Sequence, residues 1–332
     1  IKSAAPGESH EAIAGSLKDA DQGLILLGQL AIQHPDYTIL HELAAAIAEA
    51  AGAIHSVLPA AGNTVGAWQA GIVPHRLPGG AEADRAGRNI SQMQSEPVAA
   101  LIVHNLEPEH DFADPQAALN AANAADFCVV LSPYVGDHTK EYADVILPIV
   151  PYSETDGTFI NMEGLAQSFN AAVKNYAESA PAWKVYRVLG EQLGIETYKY
   201  EELNEVTAEV LQIGQQQAAA TPVDSRLEPG LTSDSLLRSG EVSIYATDSL
   251  VRRAAALQDT SDGRNRRLVV INSQTAEKAG VLNASQVLVT QNDQVVNMPL
   301  CIDDGMADDS IWLPLIPELG GLNTEVQIKA VS

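Results

Sequence analysis

The segment 126–169 constrains the fold of this chain more than any other part of its sequence. Two short apolar runs, 127–131 and 143–147, lie within it. Pro148 closes the second run, because proline has no N–H to donate to a strand ladder. Apolar runs of this length favour buried parallel strands. The polar stretch 132–142 between them then opens at the carboxyl end of a strand, the edge where open α/β sheets bind their ligands.

The N-terminal part predicts a strand–helix–strand unit. Its strands are the apolar runs 24–27 and 54–58, and the helix between them ends at Gly52. One face of that helix is apolar and carries Leu40, Leu43, Ile47 and Ala51. Such a unit pairs its strands in parallel with a right-handed crossover. No G-x-G-x-x-G follows the first strand, so the fingerprint for NAD or FAD is missing.

A further strand is expected at 98–103, and Asp114 with Pro115 marks the start of a helix over 115–125. Together with the two central runs, these elements predict an α/β fold with a Rossmann-like parallel sheet. The intervening segment, 59–97, is rich in glycine and has the length of a functional or mobile loop. It supplies no metal ligand and no basic cluster. We therefore interpret it as a lid packed over an empty cleft and not as a loop that binds a cofactor.

The C-terminal part predicts a small β-barrel. Two helices, one begun by Pro181 and one over 203–217, precede a polar tract at 212–240 that is interpreted as a linker. Short, evenly spaced strands then follow at 268–271, 286–290, 295–300, 310–313 and 325–331. The predicted organisation is therefore an α/β domain over 1–195, a helical and polar linker region over 196–262, and a barrel over 263–332.

Composition excludes several classes of function. The 332 residues carry 43 acidic and 19 basic side chains, a formal charge of −24, which argues against nucleic acid or an anionic membrane as the main partner. No apolar stretch approaches the roughly 18 residues of a membrane span, and the default compartment is the cytoplasm. The cysteines, Cys128 and Cys301, encode neither a disulfide framework nor a metal cluster, and Cys128 is expected to be a buried, inert thiol.

Candidate chemistry is sparse. The histidines are dispersed, without an H-E-x-x-H motif, so no metal site is predicted. His138 lies in the strand-end loop, where a surface histidine is the ordinary outcome. Glu154 and Asp156 could form an acid–base pair, but their spacing is more typical of a turn in which Gly157 takes a positive φ. No nucleophile elbow is present, and no catalytic residue is predicted.

Residues 143–148, A-D-V-I-L-P, and residues 154–167, E-T-D-G-T-F-I-N-M-E-G-L-A-Q, carry a specific resemblance. They resemble a segment of the molybdopterin oxidoreductase superfamily that reads T-x-x-x-A-D-V-V-L-P and then E-x-x-G-T-x-x-N-x-E-G-R-x-Q. Residues 269–290 resemble the start of the double-psi barrel that closes these proteins. The runs at 24–40 and 60–80 are similar to one family in particular, the large iron–sulfur (G-type) subunits of bacterial NADH-quinone oxidoreductase, or respiratory complex I.

Two departures from the superfamily pattern concern the cofactor. Leu165 stands where the E-G-R motif has Arg, and Ala284–Ser285 occupy the place of a Gly-Asp pair. Leucine offers neither charge nor donor to a phosphate. Glu107 and Asp111, in the turn that approaches the nucleotide part of the pterin in related enzymes, have the wrong sign for a diphosphate. These features predict a retained fold without a pterin site.

The resemblance implies a fragment that does no chemistry itself and supports electron transfer from NADH to quinone in an assembled complex. Its partners would be other subunits of the peripheral arm of complex I, on the cytoplasmic face of the inner membrane. Iron–sulfur clusters would lie in an N-terminal part that precedes Ile1. The alternative is the C-terminal half of an active molybdenum or tungsten oxidoreductase, with molybdopterin held by neutral contacts from Asn105, Thr139, Asn161, Gln167 and Asn272. A free-standing small-molecule-binding module is a third possibility.

Overall fold

The fold is described from a computed structural model that covers residues 5–34, 36–213, 235–291, 294–321 and 325–331. The described residues fall into two compact units, one that ends at Ala61 and one that begins at Gly62. Among the described residues, no helix is both long enough and apolar enough to cross a bilayer.

The first unit is a small strand–helix–strand structure, as the sequence predicts. Leu24 pairs with Ile54 and Leu27 with Val57 in a parallel ladder. The helix between them ends at Gly52, whose φ of 68° is the left-handed conformation that glycine adopts without strain. The elements are α1 (Glu8–Asp19), β1 (Leu24–Leu27), α2 (Gln29–Ile32), α3 (Tyr37–Ala51) and β2 (Ile54–Val57).

The predicted buried face of α3 is only partly right. The residues that α3 buries are Ala44 and Ala48, whereas Ile47, predicted to lie on the core face, is 50% exposed. Alanines at i and i+4 on one face let a helix pack closely. The other residues predicted for that face, Leu40, Leu43 and Ala51, are half-buried.

The second unit begins with an α/β part. Its helices and strands are α4 (Thr64–Gln69), α5 (Ile90–Ser95), β3 (Ala100–His104), α6 (Pro108–Asp111), α7 (Pro115–Asn123), β4 (Phe127–Ser132), α8 (Thr139–Tyr142), β5 (Val145–Pro148), β6 (Gly157–Ile160), β7 (Ala166–Phe169), α9 (Ala182–Gln192) and α10 (Leu203–Gln212), with 3₁₀ turns at Pro78–Gly80 and Tyr152–Glu154. The predicted lid segment 59–97 therefore contains α4, one 3₁₀ turn and α5. The predicted end of the second helix, 214–217, lies outside the described residues.

Three of the described strands form a parallel sheet in the order β3–β4–β5. This confirms the parallel α/β prediction. One face is covered by α7, which starts at Pro115 with the Asp114 carboxylate accepting from the Ala117 N–H at 2.9 Å, as predicted. Beneath it lie the fully buried Cys128 and Val130. The other face is buried only at its carboxyl end: Leu131 is 0% exposed, whereas Ile102 is 52% exposed and Phe127 47%. The prediction of fully buried strands is therefore only partly right.

The strands β6 and β7 form an antiparallel hairpin in which Gly157 pairs with Phe169. The prediction of a positive φ at Gly157 is wrong, since this glycine is not among the residues with positive φ. Glycine stands there for another reason. A Cβ at Gly157 would collide with the Phe169 ring, whose Cε1 atom would lie 2.8 Å away. The constraint is close packing across the hairpin.

The rest of the second unit is built around a barrel. Its elements are β8 (Leu236–Ser239), α11 (Ser249–Arg252), α12 (Ala255–Gln258), α13 (Ser261–Asn265), β9 (Val269–Ile271), α14 (Ser273–Lys278), β10 (Gln286–Gln291), β11 (Gln294–Ile302), β12 (Ser310–Trp312) and β13 (Glu325–Ala330), with a 3₁₀ turn at Ile244–Ala246. Six of the described strands close the barrel in the order β10–β11–β9–β12–β8–β13. The predicted strands and the barrel are confirmed.

One barrel strand, β8, lies inside the predicted linker tract 212–240, and this part of the prediction is wrong. Residues 214–234 of that tract lie outside the described residues. β8 pairs with β12 in parallel and with β13 in antiparallel orientation. The barrel therefore draws a strand from before residue 263. The boundaries 1–195, 196–262 and 263–332 stay a prediction.

A buried arginine holds the barrel interior together. Arg238 is 0% exposed and donates to the carbonyl oxygens of Leu313 at 3.1 Å, Gly320 at 2.8 Å and Pro314 at 2.5 Å. It also donates to the Gln291 side chain at 2.6 Å. Burial lowers the pKa of this guanidinium to about 10. The hydrogen bonds of the buried Arg238 guanidinium are thus made to neutral acceptors, most of them backbone carbonyls of loops at the ends of the strands.

Candidate functional site

The candidate site lies at the carboxyl edge of the β3–β4–β5 sheet, where the loops after β3 and β4 meet. Asn105 leaves β3 with a φ of 51°, and its backbone N–H donates to the Leu131 carbonyl at 2.7 Å. The loop after β4 passes very close to the first loop at Gly136. A Cβ on Gly136 would lie 2.9 Å from Glu107 Oε1 and 3.1 Å from Glu109 Oε1. The two loops therefore pack without room for a side chain between them.

The loop after β3 buries an ion-pair cluster, formed by Glu107, Asp111, Arg252 and Arg253. The Glu107 side chain is 4% exposed and that of Arg252 is 7% exposed. Arg252 donates to Glu107 at 2.8 Å and to Asp111 at 2.8 Å. Arg253 reaches both oxygens of Glu107, at 3.0 Å and 2.5 Å. One buried carboxylate thus accepts from two guanidinium groups.

The cluster keeps its groups ionised. Burial alone raises the pKa of the Glu107 carboxyl, but the hydrogen bonds from Arg253 and Arg252 outweigh burial and hold it below the ordinary value. Burial likewise lowers the pKa of Arg252, and the hydrogen bonds to Asp111 and Glu107 more than reverse that effect. Each buried charge is neutralised by its partners, so removal of one partner would leave an uncompensated charge in the interior.

Local structure orients both arginines toward the sheet edge. Asp248 caps α11 by accepting from the N–H groups of Leu250 and Val251, each at 2.9 Å. Arg252 then bonds back to the Ala246 carbonyl at 2.8 Å. Arg253 lies 4.8 Å from the centre of the Tyr134 ring, in the loop after β4. These contacts fix the orientation of both guanidinium groups.

Sequence reasoning missed Arg252 and Arg253, since it placed them in the linker region 196–262. A usable indication was present. Glu107 and Asp111 follow a predicted strand end, so at least one carboxylate would be buried and would need a cation. An adjacent arginine pair that follows a helix cap is a strong candidate for that cation, because the chain has few basic residues.

The residues predicted for the pterin alternative lie in three places. Asn105 and Thr139 lie in the strand-end loops, where Thr139 is 3% exposed and its hydroxyl accepts from the Gly136 N–H at 2.9 Å. Asn161 closes the β6–β7 turn by accepting from two N–H groups at 3.0 Å, and Gln167 is exposed on β7. Asn272 caps α14 in the barrel. Among the described residues, no hydrogen bond joins the side chains of any two of the five.

The other candidate side chains mainly hold the backbone of nearby loops in place. Glu154 accepts from the Tyr176 N–H at 2.8 Å and Asp156 from the Ala171 N–H at 2.7 Å, so both carboxylates hold loops in place. His138 is half-exposed, and its hydrogen bond with Glu141 raises the pKa of the imidazole. Cys128 is buried, and burial raises the pKa of its thiol, as expected of an inert cysteine. Nothing in these contacts assembles a catalytic group.

Comparison with known proteins identifies the family. The sequence model of the molybdopterin oxidoreductase family matches residues 8–192, more than half of the chain. The chain belongs to the molybdopterin oxidoreductase family.

The curated proteins that resemble this chain include proteins with two different names. The G-type subunit of the NADH-quinone oxidoreductase of Mycobacterium bovis is 30% identical over 82% of this chain. The F420-dependent formate dehydrogenase 1 subunit alpha of Methanococcus maripaludis is 26% identical over 60% of this chain. The chain spans only 36% of the length of each relative. Among solved structures, acetylene hydratase from Pelobacter acetylenicus is similar with a TM-score of 0.48 and 16% identity, over 69% of this chain and 39% of that one.

Two positions at which this member of the family departs from the superfamily pattern are ordinary structural residues. Leu165 lies in the turn between β6 and β7, 56% exposed, and its N–H donates to Asn161 Oδ1. The turn at Ala284 forms without a Gly-Asp pair, since the Ala284 N–H donates to the Val281 carbonyl at 2.9 Å. Neither Leu165 nor Ala284 supplies a side-chain donor.

Proposed function

We propose that this chain is part of the large iron–sulfur subunit of an NADH-quinone oxidoreductase and acts there as a scaffold without catalysis of its own. The buried cluster around Glu107 carries the proposal. It lies at the strand-end edge that open α/β sheets use for ligands and fills the part of that edge around Glu107 with side chains of the chain itself.

The cluster does not fit a pterin nucleotide. A diphosphate needs cationic or N–H donors, and arginine is the residue best suited to supply them. Both guanidinium groups of the cluster are already bonded to Glu107, and Arg252 also to Asp111. A phosphate placed there would face a carboxylate that is 4% exposed. Leu165 in place of arginine removes a further donor. The proposed assignment therefore includes no pterin.

The finer features of the fold belong to the same proposal. The parallel sheet is assigned as the Rossmann-like core of the family, and the closed barrel as its double-psi-type C-terminal domain. The similarity to the G-type subunit of Mycobacterium bovis extends over most of this chain. Since the chain spans about a third of the length of that relative, we assign it as a fragment whose iron–sulfur clusters lie in the remaining part.

In the assembled enzyme the fragment would brace the peripheral arm and contact neighbouring subunits there, on the cytoplasmic side of the membrane. Electrons would pass from NADH to quinone through clusters elsewhere in the complex. Two observations on this chain support a surface role. Its formal charge of −24 keeps it apart from anionic lipid, and the sheet face with Ile102 and Phe127 leaves apolar surface available for packing.

Affinity purification of the full-length protein from its host, with mass spectrometry of the co-purifying chains, tests the assignment. We expect flavin and iron–sulfur subunits that together oxidise NADH. A preparation that contains only a formate- or nitrate-type electron-transfer partner would contradict the proposal.

The second candidate is the C-terminal half of a molybdenum or tungsten oxidoreductase. The similarity to the formate dehydrogenase subunit of Methanococcus maripaludis favours it. Its neutral contacts would come from Asn105, Thr139, Asn161, Gln167 and Asn272. In the same purified protein, substitution of Thr139 by Val should reduce formate oxidation under this candidate. It should leave NADH oxidation unchanged under the first.

A further inference from the structure

A cleft of about 280 Å³ lies within the second unit, beside the buried cluster. One wall is formed by the strand-end loops, with Glu109 and Asp137. The rest of the lining comes from the barrel side and carries Arg266 together with apolar residues such as Leu315 and Ile316. The cleft is thus amphipathic, and its polar lining combines three carboxylates, of Glu109, Asp137 and Glu318, with two guanidinium groups, of Arg266 and Arg267, and two imidazoles, of His110 and His138. Its volume lies just below the roughly 300–1,000 Å³ of sites that bind drug-sized molecules, so it suits a smaller organic molecule.

The carboxylate of Glu109 lines this cleft and, among the described residues, makes no hydrogen bond and no ion pair that the structure records, although the imidazoles of His110 and His138 lie near enough to sense its charge. Glu109 is 6% exposed, and its Oε2 atom is buried without a hydrogen bond. The neighbouring guanidinium groups bond to Glu107 and Asp111 instead. A buried carboxylate that accepts no hydrogen bond is costly, so a donor that enters the cleft would be stabilised there.

Arg266, which also lines the cleft, has no partner among the described residues. In the part of the chain that the structure describes, its side chain makes no hydrogen bond and no ion pair, although it is half-buried. Its neighbour Arg267 is already paired with Glu318 at 2.7 Å. The forked guanidinium of Arg266 is therefore free to bind a carboxylate in a bidentate manner.

We propose that this cleft binds a small organic zwitterion. Its cationic N–H group donates to Glu109, its carboxylate accepts from Arg266, and its hydrocarbon part packs against Leu315 and Ile316. An organic zwitterion is favoured over a metal ion, because the guanidinium of Arg266 repels a bare cation and the apolar wall offers it no ligand. This site is separate from the scaffold role and can exist with or without it.

Titration calorimetry of the purified full-length chain with 4-guanidinobutyrate tests the proposal. This probe carries a guanidinium at one end and a carboxylate at the other. We expect saturable binding. Glu109→Gln and Arg266→Gln should each weaken it by about tenfold or more, since each removes a hydrogen bond between charged groups.

Matched controls separate a local effect from a general change in charge. Glu277→Gln on α14 and Arg264→Gln on α13 alter exposed residues outside the cleft. They should leave the affinity within about twofold, because exposed charges interact weakly with a distant ligand. Butylguanidine, which lacks the carboxylate, should bind the unaltered chain about tenfold more weakly than 4-guanidinobutyrate.

The butylguanidine comparison needs no variant, so it holds even if Glu109→Gln fails to fold. Absence of saturable binding at millimolar 4-guanidinobutyrate would overturn the proposal. Equal affinity for the two probes would overturn it as well, as would equal weakening by the control variants. These outcomes are independent of which subunits co-purify with the chain, so the scaffold proposal can fail or hold separately.

Discussion

The guanidinium of Arg252 donates to the Glu107 carboxylate over 2.8 Å, although the two residues are 145 positions apart in the chain. Both side chains are almost fully buried. The contact joins the segment 248–253 to the carboxyl edge of the parallel sheet. It stabilises a charged group at the place where a cofactor-binding member of the family would need an open edge.

Removal of the Glu107 charge should destabilise the second unit. Glu107→Gln leaves two arginines with an incomplete set of acceptors, and breaking a buried pair of this kind costs about 3–5 kcal/mol. Urea unfolding monitored by circular dichroism measures the loss. Glu318→Gln is the matched control, since its pair with Arg267 is about half exposed and should change the unfolding free energy by less than about 1 kcal/mol. Similar losses of unfolding free energy in both variants would show that the buried cluster stabilises the fold no more than an exposed ion pair does.

The same contact predicts a pH dependence. The folded pKa of Glu107 lies below its ordinary value of 4.5, so the folded state binds fewer protons and stability rises with pH. The contribution is present above that ordinary value and is lost as the pH falls through the folded pKa. The difference in unfolding free energy between the natural chain and Glu107→Gln should therefore shrink in acid. A difference that stays constant from neutral pH into the acid range would show that the ionised carboxylate is not what stabilises the fold.

Gly136 should tolerate no side chain. In Gly136→Ala the new methyl group would lie 2.9 Å from Glu107 Oε1 and 3.1 Å from Thr139 Oγ1. Relief of such crowding requires the two strand-end loops to separate, at a cost of about 1–3 kcal/mol. Gly62→Ala is the control, since its methyl group would meet only Phe159 at 3.7 Å. Thermal unfolding should show a clearly lower midpoint for Gly136→Ala alone, and equal midpoints would count against the packing described.

Arg238 should be necessary for the barrel. Arg238→Met fills a similar volume but leaves the carbonyls of Leu313, Pro314 and Gly320 without their donor. We expect a loss of at least about 3 kcal/mol, since each buried unsatisfied acceptor is costly. Arg85→Met changes an exposed arginine and should be near neutral. A stable Arg238→Met barrel in denaturant titration would show that the guanidinium is dispensable.

Local patterns in the sequence predict most of the strands, but not the strand β8. Residues 24–27 and 127–131 are apolar and bounded by glycine, proline or polar turns. Their strand structure can therefore be predicted from the residues next to them in the chain. β8 contains Arg238, a charged residue that points into the barrel. Only the loops and strands that surround it in space make that position favourable. A strand with a charged residue therefore resembles a linker when the sequence is taken alone.

The candidate site, too, can be predicted from the sequence only where it depends on residues close together in the chain. The strand-end loops and the wrong sign of Glu107 and Asp111 for a diphosphate follow from the sequence, because turn position and charge are local properties. The partner arginines do not, since no periodicity links Glu107 to Arg252. Gly157 illustrates the converse error. A glycine in a turn-like sequence predicts a backbone requirement, whereas the structure shows a steric one at the Phe169 ring.

The most direct test of the proposed scaffold role is metal and pterin analysis of the full-length protein purified from its own host. Inductively coupled plasma mass spectrometry measures molybdenum and tungsten, and fluorescence of the oxidised pterin measures the organic part. We predict iron from clusters outside this chain, with neither molybdenum nor tungsten and no pterin in proportion to protein. Near-stoichiometric molybdenum or tungsten together with pterin would contradict a scaffold without a cofactor.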